Sequence, residues 1–221
     1  MNILCIAQVE DRANLDKQIA KQTMQPTRVI YYVDKHPAKG IDERRKRIAV
    51  NHKRLMTIVE AYQPDLVWQL EGDVDLPVGC LEILVQNYLE LSAKDGKHFG
   101  YISGIQVGRH GLYCLGAWRN FTPDSFESLD YTLTGIQQIE ATGFYCLLAP
   151  KDVWLSGKCS WNNEPYGCDV VWGRSIKQNK YVNMSLTIGH IIKGGIIRPE
   201  HKSTTTAKFR KINDKWEYKV L

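Results

Sequence analysis

The chain has 221 residues, which is long enough for one substantial hydrophobic core. Hydrophobic residues make up 43% of it and charged residues 24%, an ordinary balance for a globular protein that excludes a disordered or fibrous chain. The net charge of +5 suits an anionic ligand such as a nucleotide diphosphate, but an excess this modest does not by itself select proteins that bind nucleic acid.

Six cysteines are scattered along the sequence without a C-x-x-C pair. This pattern disfavours a zinc ribbon or a redox motif and favours free thiols in a reducing compartment. No apolar run approaches the roughly 20 residues of a membrane span, and the start of the sequence shows no secretory signal. We therefore expect a cytoplasmic protein without membrane insertion.

The first hundred residues alternate between short apolar runs and amphipathic stretches. Strands are predicted at 2–9, 28–33 and 66–70, and helices at 15–24, at 42–62 and after Pro77. This alternation is typical of an α/β fold, with a mostly parallel central sheet and flanking helices. Ligands of such sheets bind beyond the carboxyl ends of the strands, where Asp34 and the acidic residues of 71–75 lie.

The second half shows a different pattern, with strands joined by irregular connections. Strands are predicted at 100–108, 112–118, 144–149 and 187–192, a loop at 119–130 and a helix at 169–179. No internal repeat or linker is visible. We expect a single domain, 1–221, made of two halves at 1–100 and 101–200 and a basic tail at 201–221.

Three carboxylates follow the third predicted strand at alternate positions: Glu71, Asp73 and Asp75. Their mutual repulsion is costly unless a cation or hydrogen bonds offset it. Hard oxygen ligands suit Mg²⁺ or Mn²⁺, and such an ion can bridge a carboxylate to a diphosphate. The alternative is a solvated acidic turn before the next helix, since Asp75 lies near its N-terminus. The residues alone leave both interpretations open.

The stretch 66–77 resembles the D-x-D region of GT-A glycosyltransferases, family 2 in particular. It has an apolar strand, an acidic motif and then Pro77 at the start of a helix. Alignment on the proline makes Glu71, Gly72 and Asp73 the equivalent of D-x-D, with Glu in place of the commoner first Asp. The resemblance implies that Asp73 binds the metal directly and that Glu71 and Gly72 lie beside the nucleotide. Asp75 stays an alternative ligand, because 73–75 is also a D-x-D.

Earlier positions resemble the nucleotide site of the same family. Gln22, Thr23 and Pro26 are similar to its Gln-Thr-x-x-Pro segment, which leads to a strand that ends in an aspartate. The usual Pro-x-Tyr-Asn at the end of the first strand is replaced by residues 8–11 of this chain. By resemblance, the nucleotide-binding residues are Ala7, Gln8, Asp34, Arg47 and Asn51.

Three later residues extend the resemblance. Asp169 is similar to the catalytic base of inverting members, with Cys168 in place of the acid that often precedes it. His190 is similar to a late metal-binding histidine, and Lys193 to a flexible segment over the diphosphate. From the residue pattern alone, Asp169 could equally be a helix N-terminal carboxylate, and His190 a core histidine.

The resemblance implies an enzyme that depends on Mn²⁺ or Mg²⁺. It would move a sugar from a nucleotide-sugar, a UDP-sugar first of all, to an acceptor hydroxyl with inversion at the anomeric carbon. Residues 1–100 would then bind the donor and 101–200 the acceptor. The compact build suggests a microbial or viral source.

The acceptor and the class of protein leave alternatives. A glycan or similar hydroxyl compound is the preferred acceptor. DNA with a modified base is the other acceptor, because the tail contains both basic and aromatic residues. A non-catalytic carbohydrate- or nucleotide-binding domain is the main alternative to an enzyme. A nucleotidyltransferase is disfavoured, because residues 8–14 contain no glycine for a phosphate-binding loop.

Overall fold

The computed structural model describes residues 1–9, 12–33, 40–107, 114–160, 166–199, 206–213 and 215–220. The helices are α1 (Ala13–Ala20), α2 (Ile41–Tyr62), α3 (Cys80–Asp95), α4 (Lys151–Ser156) and α5 (Cys168–Ser175). The strands are β1 (Ile3–Val9), β2 (Arg28–Val33), β3 (Leu66–Glu71), β4 (Val74–Asp75), β5 (Phe99–Ile105), β6 (Ala117–Thr122), β7 (Ser125–Ser128), β8 (Ile136–Ile139), β9 (Ala141–Thr142), β10 (Cys146–Pro150), β11 (Asn179–Thr187), β12 (Gly189–Ile192), β13 (Gly195–Ile197), β14 (Ala207–Ile212) and β15 (Lys215–Val220).

A seven-stranded sheet forms the centre of the molecule, in the order β2-β1-β3-β10-β5-β11-β8. Strands β2, β1, β3, β5 and β11 run in one direction, whereas β10 and β8 run in the other. The predicted α/β class is confirmed, but the sheet is mixed. The reason lies in the connection from β5 to β10, which leaves and re-enters the sheet at the same edge, so β10 has to run back antiparallel.

Helices cover both faces of this sheet. Along β1, Ile3, Cys5 and Ala7 face a core shared with α1 and α3, while Leu4 and Ile6 face a core shared with α2, α4 and α5. This alternation follows from the two-residue period of a strand, and burial on both sides explains the nearly continuous apolar run. The result is a three-layer arrangement of helices, sheet and helices.

The predicted helix boundaries agree closely with the structure where local signals are strong. Helix α2 ends at Tyr62, followed by Gln63 in the left-handed conformation and then by Pro64. A left-handed residue and a proline both stop a helix, for reasons of backbone geometry. In the described part of the chain, no helix combines the length and apolar character needed to cross a membrane.

A second, five-stranded sheet has the order β15-β14-β7-β6-β9. The predicted irregular loop at 119–130 is wrong, because most of it forms the hairpin of β6 and β7. The basic tail supplies another hairpin, β14 and β15, which pairs with β7. Phe209 of that hairpin stacks on buried Phe126, with ring centroids 4.6 Å apart. Aromatic packing between distant segments therefore stabilises a sheet that local sequence patterns do not predict.

A third, small sheet joins β13, β12 and β4.

All six cysteines lie in the described part of the chain, and each is a buried free thiol, as predicted. Cys80 and Cys146 face each other with their sulfur atoms 3.6 Å apart.

Candidate functional site

The carboxyl ends of four strands meet at one edge of the central sheet. Gln8 near the end of β1 lies opposite Glu71 at the end of β3. Val107 follows β5, and His190 follows β11 within β12. His190 and Val107 are in contact, with the imidazole Nδ1 2.9 Å from the carbonyl oxygen. This is the edge at which open α/β sheets bind their ligands.

Helix α1 holds the acidic loop that follows β3. The side-chain amide of Asn14 donates to the carbonyl oxygens of Gly72 and Val74, at 3.0 and 3.1 Å. One turn later, the side chain of Gln18 accepts a hydrogen bond of 2.8 Å from the N–H of Leu76. The spacing of four residues places both side chains on the same helix face. Backbone groups of a loop too tight to pair with itself are thus satisfied by side chains.

Gly72 lets this loop approach β1 closely. A β-carbon at position 72 would lie only 3.0 Å from Cγ1 of Val9 and 3.3 Å from its Cα. A larger residue would therefore push the acidic loop away from the end of β1. The structure thus gives Gly72 a role in backbone packing, and its predicted place beside the nucleotide stays a prediction.

Asp73 and His190 face each other across the site. Oδ2 of Asp73 is 3.5 Å from Nε2 of His190, whose side chain is buried, while that of Asp73 is 26% exposed. Because Nδ1 of His190 donates to the carbonyl of Val107, a neutral imidazole directs its Nε2 lone pair at the carboxylate. Two lone-pair donors face to face need a metal ion between them or a proton on Nε2.

The Asp73–His190 pair could supply two ligands to a divalent ion of the Mg²⁺ or Mn²⁺ type. Neighbouring ligands of an octahedral ion with bonds of about 2.1 Å are about 3 Å apart, close to the separation of this pair. The carbonyl of Val107 orients the ring, as outer partners of metal-binding histidines commonly do. Among the described residues no group of three or more His, Cys, Asp or Glu side chains could hold a metal. An ion here would complete its shell with phosphate oxygens and water, as Mg²⁺ sites usually do.

Asp75 has different surroundings. Its Oδ1 is 3.3 Å from Nζ of Lys21, and its Oδ2 contacts the guanidinium of Arg198. The side chain is only 15% exposed. Both carboxylate oxygens of Asp75 thus face side-chain cations, which disfavours the binding of a metal ion by Asp75. Of the two D-x-D registers left open by the sequence, the surroundings favour the one in which Asp73 is the ligand.

Asp169 lies in the first turn of α5, with its carboxylate between two glycines. A β-carbon at Gly143 would be 3.2 Å from Oδ2 of Asp169, and one at Gly167 would overlap Oδ1. The segment from 143 to 145 enters the central sheet at the same edge as the acidic loop, since Tyr145 accepts a hydrogen bond from the N–H of Glu71. The fold therefore places Asp169 at the same edge of the sheet as Glu71, the last residue of β3.

The electrostatics agree with this proximity. The pKa of the Cys168 thiol is raised by its hydrogen bond to Cys159 and by burial, and further by the negative charges of Asp169 and Glu71. Both carboxylates are thus within electrostatic range of the same buried thiol. Glu71 and Asp169 are therefore both linked to the segment from 143 to 145, at the end of the sheet where the acidic loop begins.

The residues expected at the nucleotide are distributed less uniformly. Ala7 is fully buried and packs in the core, so its side chain does not face the edge. Gln8 donates a hydrogen bond of 3.1 Å to the carbonyl of Ile48, which joins β1 to α2. Arg47 and Asn51 lie one turn apart on α2, the former partly exposed and the latter buried.

Two further expectations concern segments around the site. Asp34 lies outside the described residues. Lys193 is exposed at the turn of the hairpin formed by β12 and β13, where Gly194 has a φ of 101°. The segment expected to be flexible is thus a tight hairpin turn, with the lysine at its tip.

The sequence analysis missed three residues that shape this site: Asn14, Gln18 and Arg198. The first two left a signal, since polar side chains four residues apart on a short helix mark one face of it. A single arginine after a strand carries no such signal, and only the tertiary structure pairs it with Asp75.

No protein-family model matches this chain, and no curated protein sequence matches it significantly. Among solved structures, the crystal structure of A197 from STIV is similar to it, with a TM-score of 0.59 at 13% sequence identity. The similarity covers 91% of this chain and 92% of that chain. At this identity it concerns the fold alone, and it extends over nearly the whole length, second half included.

Proposed function

We propose that the chain is a GT-A type glycosyltransferase that depends on Mn²⁺ or Mg²⁺ and moves a sugar from a nucleotide-sugar to an acceptor hydroxyl. The observation that carries the proposal is the contact between Asp73 and His190, 3.5 Å apart at the ligand-binding edge of the sheet. The two residues come from distant parts of the sequence, and each is held by its own backbone contacts. A carboxylate and an imidazole brought together in this way support a metal site of the kind that the D-x-D resemblance implies.

Each residue of the edge has a role in this reaction. Asp73 and His190 would hold the ion, which when bound supplies positive charge that stabilises the leaving diphosphate. Asp169 would take the proton of the acceptor hydroxyl as its oxygen bonds to the anomeric carbon. The bond from that carbon to the diphosphate oxygen breaks in the same step, and the electron pair leaves with the diphosphate. Attack from the opposite side of the carbon inverts its configuration.

The donor-binding side remains the first half of the chain, and a UDP-sugar is the preferred donor. Arg47, which is partly exposed on α2, would bind a phosphate or the base through its guanidinium. Gln8, one residue before the end of β1, lies opposite Glu71 at the end of β3. The ribose and diphosphate of a nucleotide would therefore lie across the ends of β1 and β3.

A glycan or other hydroxyl compound is favoured over DNA as the acceptor, because anions accompany the cations of the C-terminal hairpin. Lys208 lies 3.7 Å from Glu127, which also pairs with Arg119 at 3.3 Å. Arg210 lies directly across the strand pair from Glu217. Cations that already have anionic neighbours gain less from DNA phosphates than a row of unaccompanied lysines and arginines would.

The proposal is tested by incubating the protein with a panel of nucleotide-sugars and Mn²⁺ and measuring release of the nucleoside diphosphate. We expect diphosphate release, by hydrolysis or by transfer, from the sugars of one nucleotide. A chelator that removes Mn²⁺ should stop this release. Asp73→Asn should abolish the Mn²⁺-dependent release of nucleoside diphosphate. Asp152→Asn changes an exposed carboxylate on α4 and should leave that release intact.

Two other outcomes would point elsewhere. Metal-dependent binding of a nucleotide-sugar without turnover would mean a non-catalytic binding domain. The absence of any metal-dependent binding across the panel would contradict the proposal as a whole.

A further inference from the structure

The hairpin of β12 and β13 is the element that carries His190 to Asp73. It pairs with the acidic loop through β4, with Gly189 opposite Asp75 and His190 opposite Val74. The N–H of Ile191 also donates to the carbonyl of Asp73, at 2.8 Å. The position of the imidazole relative to the carboxylate thus depends on how firmly this hairpin is attached to the loop.

The backbone attachment is short. Strand β4 has only two residues, and an isolated pairing of this length is marginal in water. Gly189 allows a close approach, because a β-carbon there would be 3.0 Å from Cβ of Asp75 and 2.7 Å from Cγ2 of Ile196. A contact that needs this closeness requires a second fastening to keep the hairpin in register.

The side chain of Asp75 supplies such a fastening. Arg198, directly after β13, contacts its Oδ2, while Lys21 from the end of α1 approaches its Oδ1. The exposed fraction is 15% for Asp75 and 32% for Arg198, so solvent and salt screen this pair less than a surface pair. One carboxylate therefore connects the acidic loop to α1 on one side and to the hairpin on the other.

We propose that Asp75 is a positioning residue and not a metal ligand: its ion pair with Arg198 fastens the hairpin to the acidic loop and so holds His190 at Asp73. The proposal rests on the proposed metal site, whose two ligands it brings together. It also explains why a third carboxylate follows the D-x-D equivalent at the next alternate position.

The test is a double-mutant cycle, with Mn²⁺ affinity in the presence of UDP measured by calorimetry for Asp75→Asn, Arg198→Met and the double variant. Each single change should weaken Mn²⁺ binding by roughly tenfold, the lower end for residues that orient metal ligands. The double variant should be no weaker than either single one, because both changes remove the same interaction.

A matched control uses the other cation at Asp75. Lys21→Met removes a positive charge from the same carboxylate but leaves the hairpin contact in place. Its Mn²⁺ affinity should stay within about twofold of the unmodified protein, since surface pairs contribute little. A loss as large as that of Arg198→Met would mean that net charge, and not the hairpin, is responsible.

An increase in Mn²⁺ affinity on Arg198→Met would overturn the proposal. If Asp75 were a metal ligand, removal of the neighbouring guanidinium would relieve repulsion, and Arg198→Met would bind Mn²⁺ more tightly. Asp75→Asn would then lose far more affinity than Arg198→Met.

A second measurement needs no metal. Amide hydrogen exchange at Ile191 reports on the bond to the carbonyl of Asp73. Arg198→Met should speed this exchange by roughly tenfold in the metal-free protein, and unchanged exchange would contradict the fastening role. Failure of the metal site itself would look different: Asp73→Asn would leave Mn²⁺ binding unchanged, while Arg198→Met still accelerated the exchange at Ile191.

Discussion

His190 and His52 are both buried imidazoles, but they sit in opposite kinds of surroundings. Nδ1 of His190 is bonded to a backbone carbonyl, and its Nε2 faces a carboxylate. His52, on α2, packs in what we call the aromatic cluster, with Phe144, Trp154 and Trp172. Its ring lies parallel to that of Phe144 at 5.0 Å, and neither nitrogen has a hydrogen-bond partner among the described residues.

The difference separates a buried histidine held by polar partners from one that packs as apolar volume. In His190, the hydrogen bond of Nδ1 fixes the tautomer and leaves Nε2 directed at the carboxylate of Asp73. Aromatic packing without polar partners keeps the ring neutral and uses it as apolar volume. Burial of His52 accordingly lowers its pKa to about 3. We therefore expect changes at the edge of the sheet to alter function, and changes in the aromatic cluster to alter stability.

The largest expected effect is on the chemistry at the edge. Asp169→Asn keeps the size of the side chain but cannot accept a proton, so the transfer rate should fall by about 10²-fold to 10⁴-fold. Donor affinity and melting temperature should change little, since asparagine fills the same space between Gly143 and Gly167. Steady-state kinetics with calorimetry of the donor would check this. Near-normal turnover would assign the base to another carboxylate, for example Glu71.

A second experiment compares the two histidines directly by replacing each with alanine. His190→Ala should weaken Mn²⁺-dependent binding of UDP by roughly 10-fold to 100-fold, with a small change in unfolding free energy. His52→Ala should do the reverse and cost about 2–5 kcal/mol of stability, as for other large buried side chains. Calorimetry and denaturant unfolding on both variants would decide. Equal effects on stability would remove the distinction drawn between the two sites.

The third expected effect sharpens the comparison through pH. The pKa of His52 is about 3 when folded, against 6.5 as its ordinary value, so between these pH values the unfolded chain binds a proton that the folded chain refuses. The free energy of unfolding should thus fall as pH decreases from 6.5, by about 1.4 kcal/mol per pH unit from this group alone. Above pH 6.5 the group should have no effect.

Denaturant unfolding at pH 7 and pH 5 measures this dependence. His52→Phe should remove the contribution, because phenylalanine fills the aromatic cluster without titrating. The matched control is His98→Gln, a change of an exposed histidine that should leave the pH dependence as it is. An unchanged slope in His52→Phe would show that other groups cause the acid sensitivity.

The smallest expected effect concerns the C-terminal hairpin. Removal of Lys208, Arg210 and Lys211 together should leave donor binding unchanged, and its salt dependence should stay the same. If the acceptor were DNA, the intact protein would bind DNA at low salt. The variant would then lose roughly one unit of the slope of log affinity against log salt for each lost phosphate contact. Binding assays over a range of salt concentrations separate the two acceptors.

Part of this architecture could be predicted from the sequence because its signals are local. The apolar runs of β1 and β3 identify buried strands, and the acidic residues after β3 lie at a strand end whatever the rest of the chain does. Helix α2 ends where Gln63 and Pro64 dictate. Hydrophobic period, turn chemistry and chain direction act over a few residues, so a single sequence reveals them.

The tertiary structure alone decided the remainder, since it depends on contacts between distant segments. Phe126 and Phe209 build the second sheet from parts that read as a loop and a basic tail. Asp75 has the residue type of a metal ligand, but Arg198 from the far end of a hairpin gives it another partner. A carboxylate binds whichever cation the fold brings to it, and no local sequence pattern predicts which cation that is. The sequence by itself determined where the acidic loop would be, and the fold determined what each of its carboxylates contacts.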